Sequence, residues 1–128
     1  MHKKFIATGA MLGAVAVALG AFGAHGLKKI VDADTVQTFQ TGVQYQVYHS
    51  LALLLTGLLY EKCSPKMIRI AGALFIIGII LFSGSLYLLA AGRAGGMNSL
   101  DKAGIITPLG GVSFIGGWIF LFLAAIKK

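Results

Sequence analysis

Charged residues are scarce in this sequence. They make up 12% of its 128 residues, whereas a soluble domain usually carries about a quarter. The charges occur in short clusters, and four intervals between them contain none: 5–27, 35–60, 70–92 and 103–126. Each interval exceeds the roughly 20 residues that a helix needs to cross a membrane. The runs are too long and continuous for barrel strands, so the sequence predicts an all-α integral membrane four-helix bundle.

Cysteine and intramembrane carboxylates are also scarce. Cys63 is the only cysteine, which excludes an internal disulfide and CxxC chemistry. The four uncharged intervals exclude a carboxylate proton relay, and a serine paired with His49 would lack an acidic residue to orient the imidazole. The Gly-x-Ser-x-Gly elbow is absent as well. We therefore assign no catalytic residue and expect a non-enzymatic protein.

Basic residues outnumber acidic ones, giving a formal net charge of +7. They flank the apolar intervals instead of forming a basic surface, so no nucleic-acid partner is expected. Four spans would put both termini and the 61–69 loop on one side of the membrane. That side has seven of the eleven basic residues, so the positive-inside rule predicts an inner-membrane, multi-pass protein with both termini in the cytoplasm.

The chain is expected to form a single membrane domain over residues 1–128, with antiparallel neighbouring helices. The predicted spans are approximately 5–25, 41–60, 67–91 and 107–126. The first interval resembles a signal peptide, but it is longer than the usual apolar region of one and is expected to remain as a span.

Several helix starts have recognisable signals. Ser64 and Thr107 each precede a proline, which suits the first position of a helix. Asp34 with Gln37 matches a capping box and predicts a second helix from Asp34 to Tyr60. At about 40 Å such a helix is longer than the hydrocarbon core, so its first turns should extend into the outer interface. The glycine-rich segment 92–104 is expected to be an exposed, mobile loop.

Small residues recur in the predicted spans, beginning with the GxxxG motif of Gly9 and Gly13. Such residues allow helix backbones to approach closely in lipid. We expect this motif to pack helices of the same chain, with a dimer contact as the alternative.

Polar residues are predicted to converge in the outer half of the bundle. On the second helix, Thr41, Gln44, Tyr45, Tyr48, His49, Ala52 and Thr56 share one face, which we expect to point into the bundle. With the outer ends of the other spans, the candidate ligand-binding residues are His25, Gln44, Tyr45, Tyr48, His49, Ser83, Ser85, Tyr87, Thr107 and Ser113. The prediction is a polar outer-leaflet pocket around His49 that binds a lipid or small amphiphile, because an intramembrane ionisable residue is a functional hypothesis by default.

Other interpretations remain open at this stage. The same residues could form a structural hydrogen-bond network in a protein that supports membrane integrity or a complex. A small carrier would need a polar path through the aliphatic inner half, and a haem or quinone redox protein would need ligands. His25 and His49 have no carboxylate or thiolate to complete a metal site, so no metal or cofactor is predicted. Membrane lipid is the expected partner, with a second copy or another membrane protein as further candidates.

Four motifs appear in order along the chain: "GAFGAHGL" (20–27), "YQVYHSLALL" (45–54), "FSGSLY" (82–87) and "ITPLGGVSFIGGW" (106–118). Together they resemble the family called domain of unknown function 423, which includes small four-span bacterial inner-membrane proteins and eukaryotic relatives called transmembrane protein 256. The 92–104 loop is longer than this family leads us to expect. The resemblance implies a multi-pass membrane protein and supplies no catalytic residue.

Overall fold

Helices account for nearly all of the regular structure in the computed structural model, which describes residues 1–127 apart from the side chain of Asn98. In chain order they are α1 (Lys3–His25), α2 (Ala33–Leu58), α3 (Pro65–Gly78), α4 (Gly84–Ala94) and α5 (Thr107–Lys127). Short 3-10 helices cover Leu27–Lys29 and Asn98–Ile105. No strand occurs within residues 1–127, so the predicted all-α class is confirmed.

A π-helical turn, Ile79–Ser83, joins α3 and α4 into one continuous segment, Pro65–Ala94, called the α3–α4 segment below. The Gly84 N–H donates to the carbonyl of Ile79, five residues earlier, as in a π-bulge. Because the π turn contains one residue more than an α-helical turn, it changes which neighbours the side chains at and after the turn contact. Ser83 is fully buried and donates to the Gly42 carbonyl of α2 over 2.6 Å.

Three helical segments in the described chain are long and apolar enough to cross a membrane: Lys3–Lys29, Pro65–Ala94 and Ser99–Lys127. The sequence predicts four spans. Of these, α2 is the one that does not meet this test of length and apolar composition. Gln40, Gln44, Gln46 and His49 give α2 a more polar composition than the other three. The predicted span limits stay a prediction, since a helix bound does not mark a lipid boundary.

The start of α2 differs from its prediction. Asp32 is the N-cap, and its carboxylate accepts from the Thr35 backbone N–H over 2.8 Å. The assignment of the cap to Asp34 is wrong by two positions. Asp34 lies in the first turn, where a negative charge still interacts favourably with the helix dipole.

The other predicted helix starts agree better with the structure. Pro65 is the first residue of α3 as predicted, although the Ser64 side chain makes no capping hydrogen bond. Helix α5 begins at Thr107, one residue before the predicted start at Pro108. The segment predicted as a loop contains the 3-10 helix Asn98–Ile105. Leu100 packs against Gly92 at this point, which helps to explain the added structure.

Glycines mark the contacts between α1 and α2. A Cβ on Gly9 would lie 2.9 Å from the Ser50 carbonyl, and one on Gly23 would lie 2.9 Å from the Phe39 ring. The beginning of α1 therefore lies beside the end of α2, and the end of α1 beside its beginning. Gly13 has nothing within 4 Å, so only the first glycine of the GxxxG motif packs within this chain.

Phenylalanine rings and glycines alternate in the contact between α5 and the α3–α4 segment. Gly117 lies against Phe75, Gly78 against Phe114, and Gly110 against Phe82. Gly117 and Gly78 face the rings of Phe75 and Phe114, whereas Gly110 faces the backbone of Phe82. In each case the missing side chain allows close approach, which explains why both helices carry glycines here.

Candidate functional site

The buried face of α2 is rotated from the predicted one. Gln46, Ser50 and Leu53 are buried, whereas Gln44 and Tyr48 are exposed. One residue corresponds to about 100° of helix rotation, which is roughly the difference between the two faces. His49, Ala52 and Thr56 are buried as predicted and belong to both the predicted and the observed face.

Both nitrogens of His49 have hydrogen-bond partners. Nδ1 lies 2.7 Å from the Tyr45 carbonyl oxygen, and Nε2 lies 3.1 Å from the Trp118 indole nitrogen. A carbonyl can only accept and an indole N–H can only donate. Nδ1 therefore carries the proton and Nε2 accepts, which defines a neutral imidazole with one tautomer.

Aromatic rings fill the space around this imidazole. Phe114 stacks on His49 with 3.5 Å between ring centroids and 9° between planes. Phe75 and Trp118 have their centroids at 5.7 and 5.9 Å from that of His49. The imidazole thus lies in a packed aromatic layer between α2, α3 and α5.

The predicted serine and threonine candidates lie in separate contacts. Ser85 approaches Thr107 to 2.5 Å at the start of α5, and Ser113 donates to the Leu74 carbonyl over 2.7 Å. None of them, nor Ser83, is bonded to His49 within residues 1–127. Whether any of the ten candidates binds a ligand stays a prediction, and the structure does not bring them into one pocket.

His25 lies at the exposed end of α1, where its Nδ1 is 3.0 Å from the carbonyl of Ala21 in its own helix. It therefore does not join His49 in the aromatic layer. Across the described residues there is no group of three or more His, Cys, Asp or Glu side chains suited to holding a metal ion.

Gln46 is the main polar residue that sequence reasoning missed. Its side-chain N–H donates to the Leu12 carbonyl of α1 over 2.8 Å, and its amide oxygen accepts from the Tyr87 hydroxyl over 2.6 Å. One buried amide thus connects α1, α2 and α4. A usable signal was the spacing from Gly42 through Gln46 to His49, since small residues mark the face of close helix contact.

Three cavities surround the turn between α1 and α2. The first, called the apolar crevice, has a volume of about 260 Å³ and lies between the ends of α1, α2 and α4. Its wall includes Phe22, Leu27, Ile30, Phe39, Tyr87 and Ala90, together with Ala91 and Ala94. Tyr87 is the one predicted candidate in this wall.

The second, called the polar cavity, has a volume of about 390 Å³ and is lined by Ile30, Val31, Asp32, Thr35 and Arg93. Ile30 is common to both walls, so the two spaces adjoin. A third space of about 230 Å³ lies beyond Val31, next to Lys28.

Thr35 connects the two charges of the polar cavity. It is 1% exposed, and its hydroxyl accepts from an Arg93 N–H over 3.2 Å. Hydrogen bonds from the Thr35 side chain and backbone, and to a smaller extent the positive charge of Arg93, lower the pKa of the Asp32 carboxyl. Asp32 and Arg93 are therefore both charged at neutral pH, next to the apolar crevice.

These features define a class: an all-helical membrane protein with apolar spanning helices, a hydrogen-bonded aromatic layer and an amphipathic opening at one end. Residues 19–111 match the sequence model of a protein family described as protein of unknown function DUF423. The chain belongs to this family, which confirms the resemblance carried by the four motifs.

Curated relatives cover nearly the whole chain. The UPF0382 membrane protein YwdK of Bacillus subtilis is 45% identical over 126 residues, 98% of each chain. A UPF0382 membrane protein of Haemophilus influenzae is 39% identical over 128 residues, 100% of this chain and 98% of the relative. The UPF0382 inner membrane protein YgdD of Escherichia coli is 38% identical over 118 residues, 92% and 86% of the two chains. No solved structure matches the chain.

Proposed function

We propose that this protein is a non-enzymatic, four-span protein of the inner membrane that binds a lipid or similar amphiphile at its outer end. One observation carries the proposal: an apolar crevice of about 260 Å³ adjoins a polar cavity that contains two opposite charges. A molecule with an apolar chain and a polar head matches this pair of spaces. The charged and hydroxyl groups of the polar cavity suit the binding of a polar head, and the crevice suits an apolar chain.

The proposal counts α2 as a fourth span in an antiparallel bundle. Contacts from Gly9 with Ser50 to Gly23 with Phe39 support this, because they keep α2 beside α1 over most of its length. Two helices so paired occupy the same depth. The residues of α2 before Phe39 then extend beyond α1 into the outer interface.

The binding site proposed here differs from a pocket centred on His49. His49 has both nitrogens bonded and is 5% exposed, which supports a role in holding α2 against α5. Tyr87 belongs to the ligand site and to the helix contacts at once, since it lines the crevice and donates to Gln46.

A crevice-filling variant tests the proposal. Ala91 is exposed and lines the crevice, so Ala91→Phe should occupy the space that a lipid chain would take. Ala73→Phe is the matched control, because Ala73 is exposed on the same continuous segment and is not part of the crevice wall. Native mass spectrometry of gently extracted protein should show a bound phospholipid on wild type and Ala73→Phe, and much less on Ala91→Phe. Wild-type protein without lipid, or equal retention by all three, would contradict the proposal.

A structural or interaction role is the second candidate. The observation in its favour is that, among the side chains that the structure describes, no buried N or O atom lacks a hydrogen-bond partner. A fully satisfied polar interior favours a rigid bundle that presents its surface to a second copy or to another membrane protein. Absence of bound lipid in the same experiment would favour this role.

A further inference from the structure

The polar cavity offers hydrogen-bond donors from one arginine. Arg93 uses one guanidinium N–H on Thr35 and another on Asp101, over 3.2 and 3.3 Å. A guanidinium has five N–H groups, and these two hydrogen bonds use two of them. Among the side chains that the structure describes, which do not include that of Asn98, no other partner of Arg93 is found. The side chain is 35% exposed, so these donors can be reached from the cavity. Arginine is well suited to phosphate because its planar donors can bind two oxygens together.

The same cavity offers an acceptor of opposite charge. Asp32 is exposed, and one of its carboxylate oxygens accepts the Thr35 N–H that begins α2. Asp101 is already paired with Arg93 and is not part of the cavity wall. Lys28 lines the third space and not the polar cavity. The cavity wall therefore presents one cationic and one anionic group to a bound molecule.

We propose that the polar cavity binds the headgroup of a zwitterionic aminophospholipid, with its phosphate on Arg93 and its primary ammonium near Asp32. One acyl chain lies in the apolar crevice beyond Ile30. This inference rests on the proposed function and names the ligand class of the same site. A phosphatidylglycerol headgroup has no cation for Asp32, and the quaternary ammonium of phosphatidylcholine has no N–H to donate to it.

The experiment measures headgroup preference with defined lipids. Full-length protein is delipidated in detergent and then given equal amounts of phosphatidylethanolamine, phosphatidylglycerol and phosphatidylcholine. Native mass spectrometry reports which lipid stays bound. We expect roughly a fivefold preference for phosphatidylethanolamine, the size expected of a charge pair at a partly exposed site.

Two charge variants assign this preference to residues. Asp32→Asn removes the carboxylate charge but keeps an effective N-cap for α2, and it should reduce the preference to near unity. Asp34→Asn is the matched control, since Asp34 is exposed in the same turn and does not line the cavity. Arg93→Gln should weaken retention of all three phospholipids, whereas Arg69→Gln should not, because Arg69 donates to Tyr60 outside both cavities. Melting curves in detergent check that each variant folds.

The outcomes separate this inference from the function on which it rests. Preference for phosphatidylethanolamine that disappears in Asp32→Asn and persists in Asp34→Asn supports the inference. Equal retention of the three lipids, or a preference for phosphatidylglycerol, overturns it while leaving a lipid in the crevice. No retained lipid on the wild-type protein overturns both.

Discussion

Gln46 provides a sharp test at the scale of single residues, because it is buried and connects three helices. Gln46→Leu keeps the approximate size but removes both interhelical hydrogen bonds, to Leu12 and Tyr87. Interhelical hydrogen bonds in membranes average about 0.6 kcal/mol with a maximum of about 1.7 kcal/mol. We expect the free energy of unfolding to fall by about 1–2 kcal/mol in a reversible detergent unfolding titration. Gln44→Leu, at an exposed position in the same helix, should change it little; equal effects would contradict the assignment.

The tautomer of His49 is a second prediction at this scale. Its partners require the proton on Nδ1, since Tyr45 offers a carbonyl and Trp118 an N–H. Nitrogen NMR of ¹⁵N-histidine-labelled protein should show a neutral ring protonated at Nδ1. Trp118→Phe should move the Nε2 resonance most, because it removes the hydrogen bond to that atom. A ring protonated at Nε2 would mean that the Trp118 contact is not formed.

Between α5 and the α3–α4 segment, glycine positions decide how closely the helices approach. A Cβ on Gly110 would lie 2.3 Å from the backbone nitrogen of Phe82, while one on Gly111 would meet nothing within 4 Å. Backbone atoms cannot rotate away as a side chain can, and overpacking typically costs about 1–3 kcal/mol. Gly110→Val should therefore lower the melting temperature in detergent clearly, and Gly111→Val should lower it much less. Similar melting of the two variants would show that the helices separate easily here.

How far the elements could be predicted depends on which physical signal identifies them. The apolar runs that identify α1, the α3–α4 segment and α5 are long enough to be read directly from the sequence. The side of α2 that faces inward was harder to predict, because polarity alone placed Tyr48 inside. Tyrosine has an apolar ring and a polar tip, so it tolerates an exposed position that a glutamine or serine would not.

The crevice and the π-helical turn had no local signal in the sequence. The crevice forms where the ends of α1, α2 and α4 meet, and Ile30 and Ala94 in its wall come from segments more than sixty positions apart. The π turn at Ile79–Ser83 lies in an aliphatic run whose composition suits an ordinary α-helix. Long-range packing determines both features, which is why residue spacing could not predict them.

For the whole molecule, orientation in the membrane is the main prediction. Basic residues favour the side that has both termini and the 61–69 loop, by seven to four, so the crevice should open to the outer leaflet. Single-cysteine variants in a Cys63→Ala background test this. Ala33→Cys, at the exposed start of α2, should react with an impermeant maleimide on intact cells. Ser64→Cys, before α3, should react only after the cells are opened.

Both substitutions leave every charged residue in place, so they do not alter the unequal distribution of basic residues that sets the orientation. The reverse labelling pattern would put the crevice in the cytoplasmic leaflet, so its lipid would come from that leaflet and not from the outer one. Labelling of both sites on intact cells would instead mean that α2 does not cross the membrane between the turn before it and the turn after it. That result would contradict the fourth span, because Ala33 begins α2 and Ser64 lies in the turn after it. Only a helix that crosses the bilayer can keep these two positions on opposite sides.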